Sequence, residues 1–134
     1  MIVVDTNVIC YRWMASAHSA AADRAWNKEP DWIAPLLWRS EFRNALAGAL
    51  RRKLITANAA IDLTEKAEKQ FADREFLVSG RVVLDLIAKS RCSAYDLEFV
   101  VLAREQGVPL LTVDRQILRD FPELAISLER FVRQ

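Results

Sequence analysis

The sequence predicts an α/β protein with a short parallel sheet flanked by helices. Short, wholly apolar runs such as residues 2–4 and 110–111 alternate with longer segments that have helical periodicity. Strands of a parallel sheet are covered on both faces, so they need no alternation of polar and apolar residues. The 134 residues contain no linker, repeat or low-complexity segment, and one domain spanning residues 1–134 is expected.

The N-terminal half is predicted to contain two strands and three helical regions. Pro35 ends the second strand, because proline cannot donate a hydrogen bond to the ladder. Thr56 is a suitable N-cap for the helix that follows it. In chain order, the predicted elements are a strand at 2–4, a helical region that is broken near Ala17 and continues to about Asn27, a strand at 32–34, a helix from about 36 to 53 and a helix from 56 to about 72.

The C-terminal half is predicted to continue the same alternation. Residues 93–106 are apolar on nearly every side, which indicates a buried helix. Gly107 is placed to end that helix, and Pro109 prevents it from resuming. The predicted elements are a short strand at 75–78, a helix at 81–89, a helix at 93–106, a strand at 110–112, a short helix at 115–120 and a final strand at 124–126.

Four acidic residues, Asp5, Glu41, Asp96 and Asp114, are candidates for a common site. Asp5 and Asp114 follow predicted strands by one or two positions, so both are expected at the carboxyl edge of the sheet, where ligands of such sheets bind. Asp96 interrupts an apolar helix. Burying an unpaired carboxylate is strongly unfavourable, so these side chains are expected to hold a positively charged partner.

Three of the acids also have a purely structural explanation. Asp5 could cap the helix that begins at Thr6, and Asp114 could cap the helix at 115–120. Asp96 stands three positions after Ser93, which is the spacing of a capping box. The sequence leaves these alternatives open.

Glu41 could instead form a surface ion pair with Arg39 or Arg43, which would contribute little to stability. Helical geometry nevertheless places Glu41 on the flank of the core-facing stripe of its helix, where a side chain can line a cleft. Gly48 lies on the same flank and would allow another backbone to approach closely.

If the four carboxylates converge, their repulsion has to be neutralised. Two carboxylates about 4 Å apart repel by roughly 4 kcal/mol at an effective dielectric constant near 20. Oxygen ligands of this kind suit Mg²⁺ or Mn²⁺ and disfavour zinc. Such an ion can activate water and stabilise charge on a phosphate, so metal-dependent phosphodiester hydrolysis is the predicted chemistry.

Other common catalytic groups are scarce in this chain. His18 is the single histidine, which excludes a multi-histidine zinc site and disfavours a histidine-based nucleophilic triad. Cys10 and Cys92 lack metal-binding spacing and are expected to be small buried apolar residues.

Four ordered motifs resemble those of PIN domains, and most closely those of the VapC toxins of type II toxin–antitoxin pairs. The motifs are Ile2–Val8, Ser40-Glu41 with Asn44, Ser93–Asp96 and Leu111–Arg115. The resemblance covers essentially the whole chain. It implies a three-layer PIN-like fold with a short central parallel sheet flanked by helices.

The resemblance also implies an endoribonuclease that uses Mg²⁺ or Mn²⁺. Asp5, Glu41, Asp96 and Asp114 would form the metal-binding pocket, with Asp114 acting through water. Residues that would support the carboxylates or the metal-bound water are Thr6, Asn7, Asn44 and Thr112. Glu98 is left out, because two positions along a helix from Asp96 place it roughly on the other side.

The implied partners are an RNA substrate, a cognate antitoxin that blocks the acidic pocket, and a second copy of the chain in a homodimer. The basic residues predicted nearest to the cleft, Arg39, Arg43 and Arg115, are candidates for contacts with the RNA backbone. The alternative interpretation is that these arginines lie on solvated helix faces and do not contact RNA. The net charge of +1 does not by itself indicate nucleic-acid binding.

Competing interpretations are a PIN-fold nuclease that is not a toxin, an RNA-binding module that does not cleave, and a receiver-like signalling domain. The last would need a second acid beside Asp5 and a lysine after the last strand, but Thr6 follows Asp5 and no lysine follows Lys89. No apolar run approaches the ~20 residues of a membrane span. The first strand starts too early to leave room for a signal peptide, so a cytoplasmic protein is expected.

Overall fold

The computed structural model describes residues 1–134 and confirms the predicted α/β class. Five parallel strands form one sheet in the order β3-β2-β1-β4-β5, with helices around it. The elements are β1 (Ile2–Val4), α1 (Thr6–Trp13), α2 (Ser19–Lys28), β2 (Trp32–Pro35), α3 (Trp38–Arg51), α4 (Ala57–Gln70), β3 (Glu75–Phe76), α5 (Gly80–Ile87), α6 (Ala94–Gln106), β4 (Leu110–Thr112), α7 (Arg115–Asp120), β5 (Ala125–Ser127) and α8 (Leu128–Arg133).

The apolar strand β1 occupies the centre of the sheet. Val3 lies in register with Ile33 of β2 on one side and with Leu110 of β4 on the other, and all three are buried. The ladder continues past the strand, since the Asp5 N–H donates to the carbonyl oxygen of Leu111 at 2.9 Å. The residues that follow β1 and β4 therefore meet at one edge of the sheet.

Helix α6 is the most deeply buried helix, as its apolar sequence predicts. Its buried side chains include Leu97 and the five consecutive residues 99–103, each at most 1% exposed. Gly107 follows with a left-handed backbone (φ 64°), a conformation that glycine adopts without steric cost. The predicted end of this helix is thus confirmed.

Helix α3 turns its aromatic face toward the core. Trp38, Phe42, Leu46 and Ala49 are buried, as the helical periodicity predicts, and Glu41 lies half-buried at the border of that face. The predicted position of Glu41 on the flank of the helix is confirmed. Cys10 and Cys92 are also buried as free thiols, in agreement with the expectation from the sequence.

The C-terminal helix α8 (Leu128–Arg133) was not predicted from the sequence. Ser127 caps its start, accepting a hydrogen bond from the Arg130 N–H at 3.2 Å. At its end, the Lys28 Nζ of α2 donates to the carbonyl oxygens of Phe131 (2.7 Å) and Gln134 (2.8 Å). Contacts that are distant in sequence therefore stabilise this helix.

Smaller differences concern the bounds of several elements. The strand β2 includes Pro35, one residue past the predicted 32–34, and α3 begins and ends two residues inside the predicted 36–53. The strand β3 comprises two residues and is shorter than the predicted 75–78, and β5 begins one residue later than predicted. None of the helices combines the length and the apolar character needed to cross a bilayer.

Leu102→Ala in α6 is expected to lower the free energy of unfolding by about 2–5 kcal/mol, because it leaves a cavity at a fully buried position. Leu84→Ala on α5, where the leucine is 68% exposed, is the matched control and should change it by less than about 0.5 kcal/mol. Urea denaturation measures both. Equal effects of the two substitutions would contradict the buried position of α6.

Candidate functional site

A cavity of about 420 Å³ opens at the carboxyl edge of the sheet, and we call it the acidic cavity. Its lining contains all four acids singled out in the sequence, and no lysine or arginine. Each acid comes from a different part of the chain: Asp5 follows β1, Glu41 lies in α3, Asp96 lies in the first turn of α6 and Asp114 precedes α7. The residues that line the acidic cavity are Asp5, Thr6, Asn7, Cys10, Leu37, Ser40, Glu41, Asn44, Ala45, Tyr95, Asp96 and Asp114.

The Asp5 carboxylate is buried and held from the neighbouring strand. Its residue is 7% exposed, and the Thr112 Oγ1 of β4 donates a hydrogen bond to its Oδ2 at 2.7 Å. Asp5 occupies the N-cap position of α1, but its side chain caps no N–H of that helix. The capping explanation for Asp5 is therefore wrong, because the carboxylate is engaged across the sheet.

The Glu41 carboxylate is held by α1. The Thr6 Oγ1 donates to Glu41 Oε1 at 2.8 Å, which joins the start of α1 to α3. Arg39 does not pair with Glu41, because its Nε donates to Glu75 Oε2 at 2.6 Å. Arg43 forms no ion pair with Glu41 either. The surface ion-pair explanation for Glu41 is therefore wrong.

Asp96 and Asp114 have both a structural role and a place in the acidic cavity. The Asp96 N–H donates to the Ser93 Oγ at 3.1 Å, so the predicted cap of α6 is present. The Asp114 Oδ1 accepts hydrogen bonds from the N–H groups of Gln116 (2.8 Å) and Ile117 (3.0 Å), which confirms the predicted N-cap of α7. Only one oxygen of Asp114 is used in this way.

Among the predicted supporting residues, the two threonines contact the acids. Thr112 donates its hydroxyl to Asp5 and accepts a hydrogen bond from the Asp114 N–H at 3.0 Å, so it links two of the four acids. Asn7 and Asn44 line the acidic cavity and are exposed. Roles of these residues toward a metal ion or water stay predictions.

Burial and mutual repulsion raise the pKa values of three of the acids. Burial, together with the smaller effects of the charges of Glu41 and Asp96, raises the pKa of Asp5 to about 6, although the hydrogen bond from Thr112 acts the other way. Burial and then the charge of Asp96 raise the pKa of Glu41, whose hydrogen bond from Thr6 acts the other way. Burial and then the charge of Asp114 raise the pKa of Asp96. The acidic cavity thus carries negative charge that no side chain of its lining neutralises.

The acids share a cavity without forming a finished chelating site. No three Asp, Glu, His or Cys side chains are arranged so that they could hold a metal ion as they stand. Like charges that lack a cation between them are expected to stay apart. Metal ligation by the four acids therefore stays a prediction.

The arginines proposed as RNA contacts do not line the acidic cavity. Arg39 is engaged by Glu75 and lies 3.6 Å from Glu68, whereas Arg43 and Arg115 are exposed on their helices. Arg43 and Arg115 therefore lie on solvated helix faces, which is the alternative that the sequence left open. A contact of any of the three with RNA stays a prediction.

Sequence reasoning did not identify Cys10 and Tyr95 as lining residues. Cys10 lies four positions after Thr6, which is the spacing of one helix face, and Tyr95 immediately precedes Asp96. Glu98 does not line the acidic cavity. It is nevertheless half-buried, and burial and then the charge of Glu41 raise its pKa, so it is closer to the site than its position on the helix suggested.

Comparisons with known proteins agree with this geometry. The PIN domain family matches the chain over residues 2–124, a span that includes all four acids. Ribonuclease VapC3 of Pyrobaculum aerophilum is 29% identical over 126 residues, which cover 92% of this chain and 96% of the relative. The resemblance carried by the four sequence motifs is thereby confirmed, and the chain belongs to the PIN domain family.

Proposed function

We propose that this PIN-domain protein is an endoribonuclease that depends on Mg²⁺ or Mn²⁺, and that it is the toxin of a type II toxin–antitoxin pair. The observation that carries the proposal is the acidic cavity, where carboxylates from four parts of the chain meet without a lysine or arginine. Membership of the PIN domain family and the similarity to a protein named as a ribonuclease support RNA as the substrate.

The donor set fits a hard divalent cation. Asp5, Glu41 and Asp96 offer carboxylate oxygens whose pKa values are raised by burial and by the charge of at least one neighbouring acid, so a cation would relieve the repulsion. Oxygen ligands are those that Mg²⁺ and Mn²⁺ prefer. Asp114 would act through water, because one of its oxygens already caps α7. Closure of these side chains around the ion is part of the proposal.

When bound, such an ion would supply an activated water and a positive charge to oppose the charge that develops on the phosphate. The chain would contribute orientation. Thr112 holds Asp5 and Thr6 holds Glu41 in fixed directions, as outer partners of metal ligands commonly do. Because these threonines lie on β4 and α1, the sheet edge itself keeps the carboxylates in place.

An adjoining apolar cavity supports inhibition by an antitoxin. It measures about 620 Å³, lies beside α1 and α3, and is lined mainly by hydrophobic residues such as Met14, Leu54 and Ile55. Cys10, Asn44 and Ala45 line both this cavity and the acidic cavity. An antitoxin segment with apolar side chains could fill the apolar cavity while a cationic side chain neutralises the acids next to it. A homodimer and a cytoplasmic location are further parts of the proposal, and light scattering measures the first.

Asp96→Asn is expected to reduce RNA cleavage by at least about 100-fold, because changing even an outer partner of a metal ligand costs about 10- to 100-fold. The measurement is digestion of end-labelled RNA with Mg²⁺, with Mn²⁺ and with chelator. Asp85→Asn makes the same chemical change at an exposed position of α5 and should cleave like the wild type.

Cleavage by Asp96→Asn at the wild-type rate would show that this carboxylate has no catalytic role. Binding of RNA by the wild type without any cleavage, with either metal, would instead favour the non-cleaving RNA-binding module.

Asp5→Asn is expected to raise the unfolding temperature near neutral pH when no divalent metal is present. The pKa of Asp5 rises from 3.8 to about 6 on folding, so the folded state loses stability as the pH rises through this interval. The loss is complete above about pH 6 and amounts to roughly 3 kcal/mol. Below about pH 4 the Asp5 carboxyl group is protonated in both the folded and the unfolded state. The higher unfolding temperature of Asp5→Asn relative to the wild type should therefore vanish there.

Differential scanning fluorimetry at both pH values tests this expectation, with Asp85→Asn as the control that should unfold like the wild type. Addition of Mn²⁺ should stabilise the wild type more than Asp5→Asn. A lower unfolding temperature of Asp5→Asn at neutral pH would contradict uncompensated repulsion in the acidic cavity.

Gly48→Leu is expected to preserve RNA cleavage and to weaken neutralisation by the antitoxin. Gly48 lines the apolar cavity, and a Cβ atom added there would meet no atom within 4 Å, so a leucine at this position is expected to take up part of the cavity. Gly48→Ala is the control, since it adds a single methyl group. Growth of cells that co-express each variant with the protein encoded next to it measures neutralisation. Full rescue of growth with Gly48→Leu would argue against this docking site.

A further inference from the structure

The acidic cavity contains one aromatic side chain that the proposed chemistry does not use. Tyr95 lines the cavity and is 62% exposed. Every other phenylalanine, tyrosine and tryptophan of the chain is buried or half-buried. We propose that an unpaired nucleobase of the RNA substrate stacks on the Tyr95 ring beside the cleaved phosphate. This inference rests on the proposed function and adds a residue that selects the substrate.

The ring is fixed to the same helical turn as a predicted catalytic carboxylate. Tyr95 is the second residue of α6 and directly precedes Asp96. Ser93 caps this turn through the Asp96 N–H, so the backbone that carries both side chains is well defined. A base on the ring would therefore lie a fixed, short distance from the carboxylates.

Tyr95 lacks an aromatic partner within the chain. The close aromatic pairs of the structure involve Tyr11 with His18, Trp26 with Trp32, and Trp38 with Phe42 and Phe71. The hydroxyl group of Tyr95 makes no hydrogen bond in the fold either. An exposed ring without an aromatic partner can present a face to a planar ligand.

The charge of the acidic cavity explains why RNA binding would need a contact that does not involve phosphate, such as stacking on the Tyr95 ring. Proteins usually hold nucleic acids through lysine and arginine contacts to phosphate, but none of these residues lines the acidic cavity. The carboxylates repel phosphate unless a cation lies between them. Stacking involves the neutral base and does not depend on phosphate charge, so it can hold the substrate where charge alone would repel it.

Stacking on a side chain also defines the class of substrate. In an RNA duplex the base faces are covered by their neighbours, whereas bases in single strands and loops can turn outward onto an aromatic ring. Every base has a planar face, so the ring would not by itself choose a sequence. The expected substrate is therefore RNA that is unpaired at the cleavage site.

The test compares Tyr95→Leu, which removes the ring but keeps an apolar side chain, with Tyr95→Phe, which keeps the ring. For single-stranded RNA, Tyr95→Leu should lower kcat/KM by about 5- to 140-fold, chiefly through KM. Tyr95→Phe should stay within about twofold of the wild type. Both variants should unfold like the wild type, because the position is exposed.

Substrates with a single abasic nucleotide at successive positions separate stacking from a structural effect. At one position, loss of the base should lower kcat/KM of the wild type by the same factor as the Tyr95→Leu substitution does on intact RNA. The same abasic substrate should leave kcat/KM of Tyr95→Leu unchanged. Cleavage by Tyr95→Leu at the wild-type rate would overturn the proposal. It would also be overturned if every abasic position lowered kcat/KM of Tyr95→Leu as much as it lowers kcat/KM of the wild type.

A separate measurement keeps this proposal distinct from the proposed function. If the wild type cleaves no RNA, the proposed function fails, and fluorescence anisotropy of a labelled oligonucleotide then tests stacking alone. Weaker binding by Tyr95→Leu than by Tyr95→Phe, abolished by one abasic position, would support the stacking site. Equal binding by the two variants would exclude it.

Discussion

Burial of the Asp5 carboxylate at the end of the central strand constrains the whole site. The Asp5 side chain sits among apolar strands, and a charge in such a place is tolerated only with strong compensation. Thr112 supplies one short hydrogen bond, yet the pKa of Asp5 remains raised, because burial and the charges of Glu41 and Asp96 outweigh that bond. The fold thus holds an unfavourable charge arrangement, as is common where function and stability conflict.

The sheet keeps this arrangement in place. Val3 pairs with both neighbouring strands, so β1 cannot shift without breaking the buried ladder on either side. Thr112 ties Asp5 to the start of α7, and Thr6 ties Glu41 to the start of α1. The carboxylates are therefore fixed by elements that the hydrophobic core positions, and they do not depend on one another for their placement. The four acids thus line one cavity, but their side chains would still have to close around a cation to bind it.

The residues in and around the acidic cavity suit three kinds of partner, and each kind would be bound by different groups. Carboxylate oxygens in the acidic cavity suit a hard cation. The exposed ring of Tyr95 suits an unpaired base, and the neighbouring apolar cavity suits hydrophobic side chains of a protein partner. Because Cys10, Asn44 and Ala45 form a shared wall, a protein that occupies the apolar cavity would lie beside the acids. Substrate and inhibitor would then compete for one opening of the molecule.

The class of fold, the order of nearly all elements and the meeting of Asp5 with Asp114 at one sheet edge could be predicted from the sequence. The caps at Ser93 and Asp114 were alternatives that the sequence offered and that the structure contains. These features depend on apolar periodicity and on local hydrogen bonds, which short stretches of sequence encode. The four acids were singled out as one set from their positions in the sequence, and the family motifs contain the same four residues.

The groups that the acids contact could not be read from the sequence. Whether Asp5 caps α1 or bonds Thr112, and whether Glu41 pairs with an arginine or with Thr6, depends on packing between residues far apart in the chain. The same holds for α8, whose end is held by Lys28, and for the exposure of Tyr95. Such contacts arise from how helices settle on the sheet, and no local pattern of residues specifies that geometry.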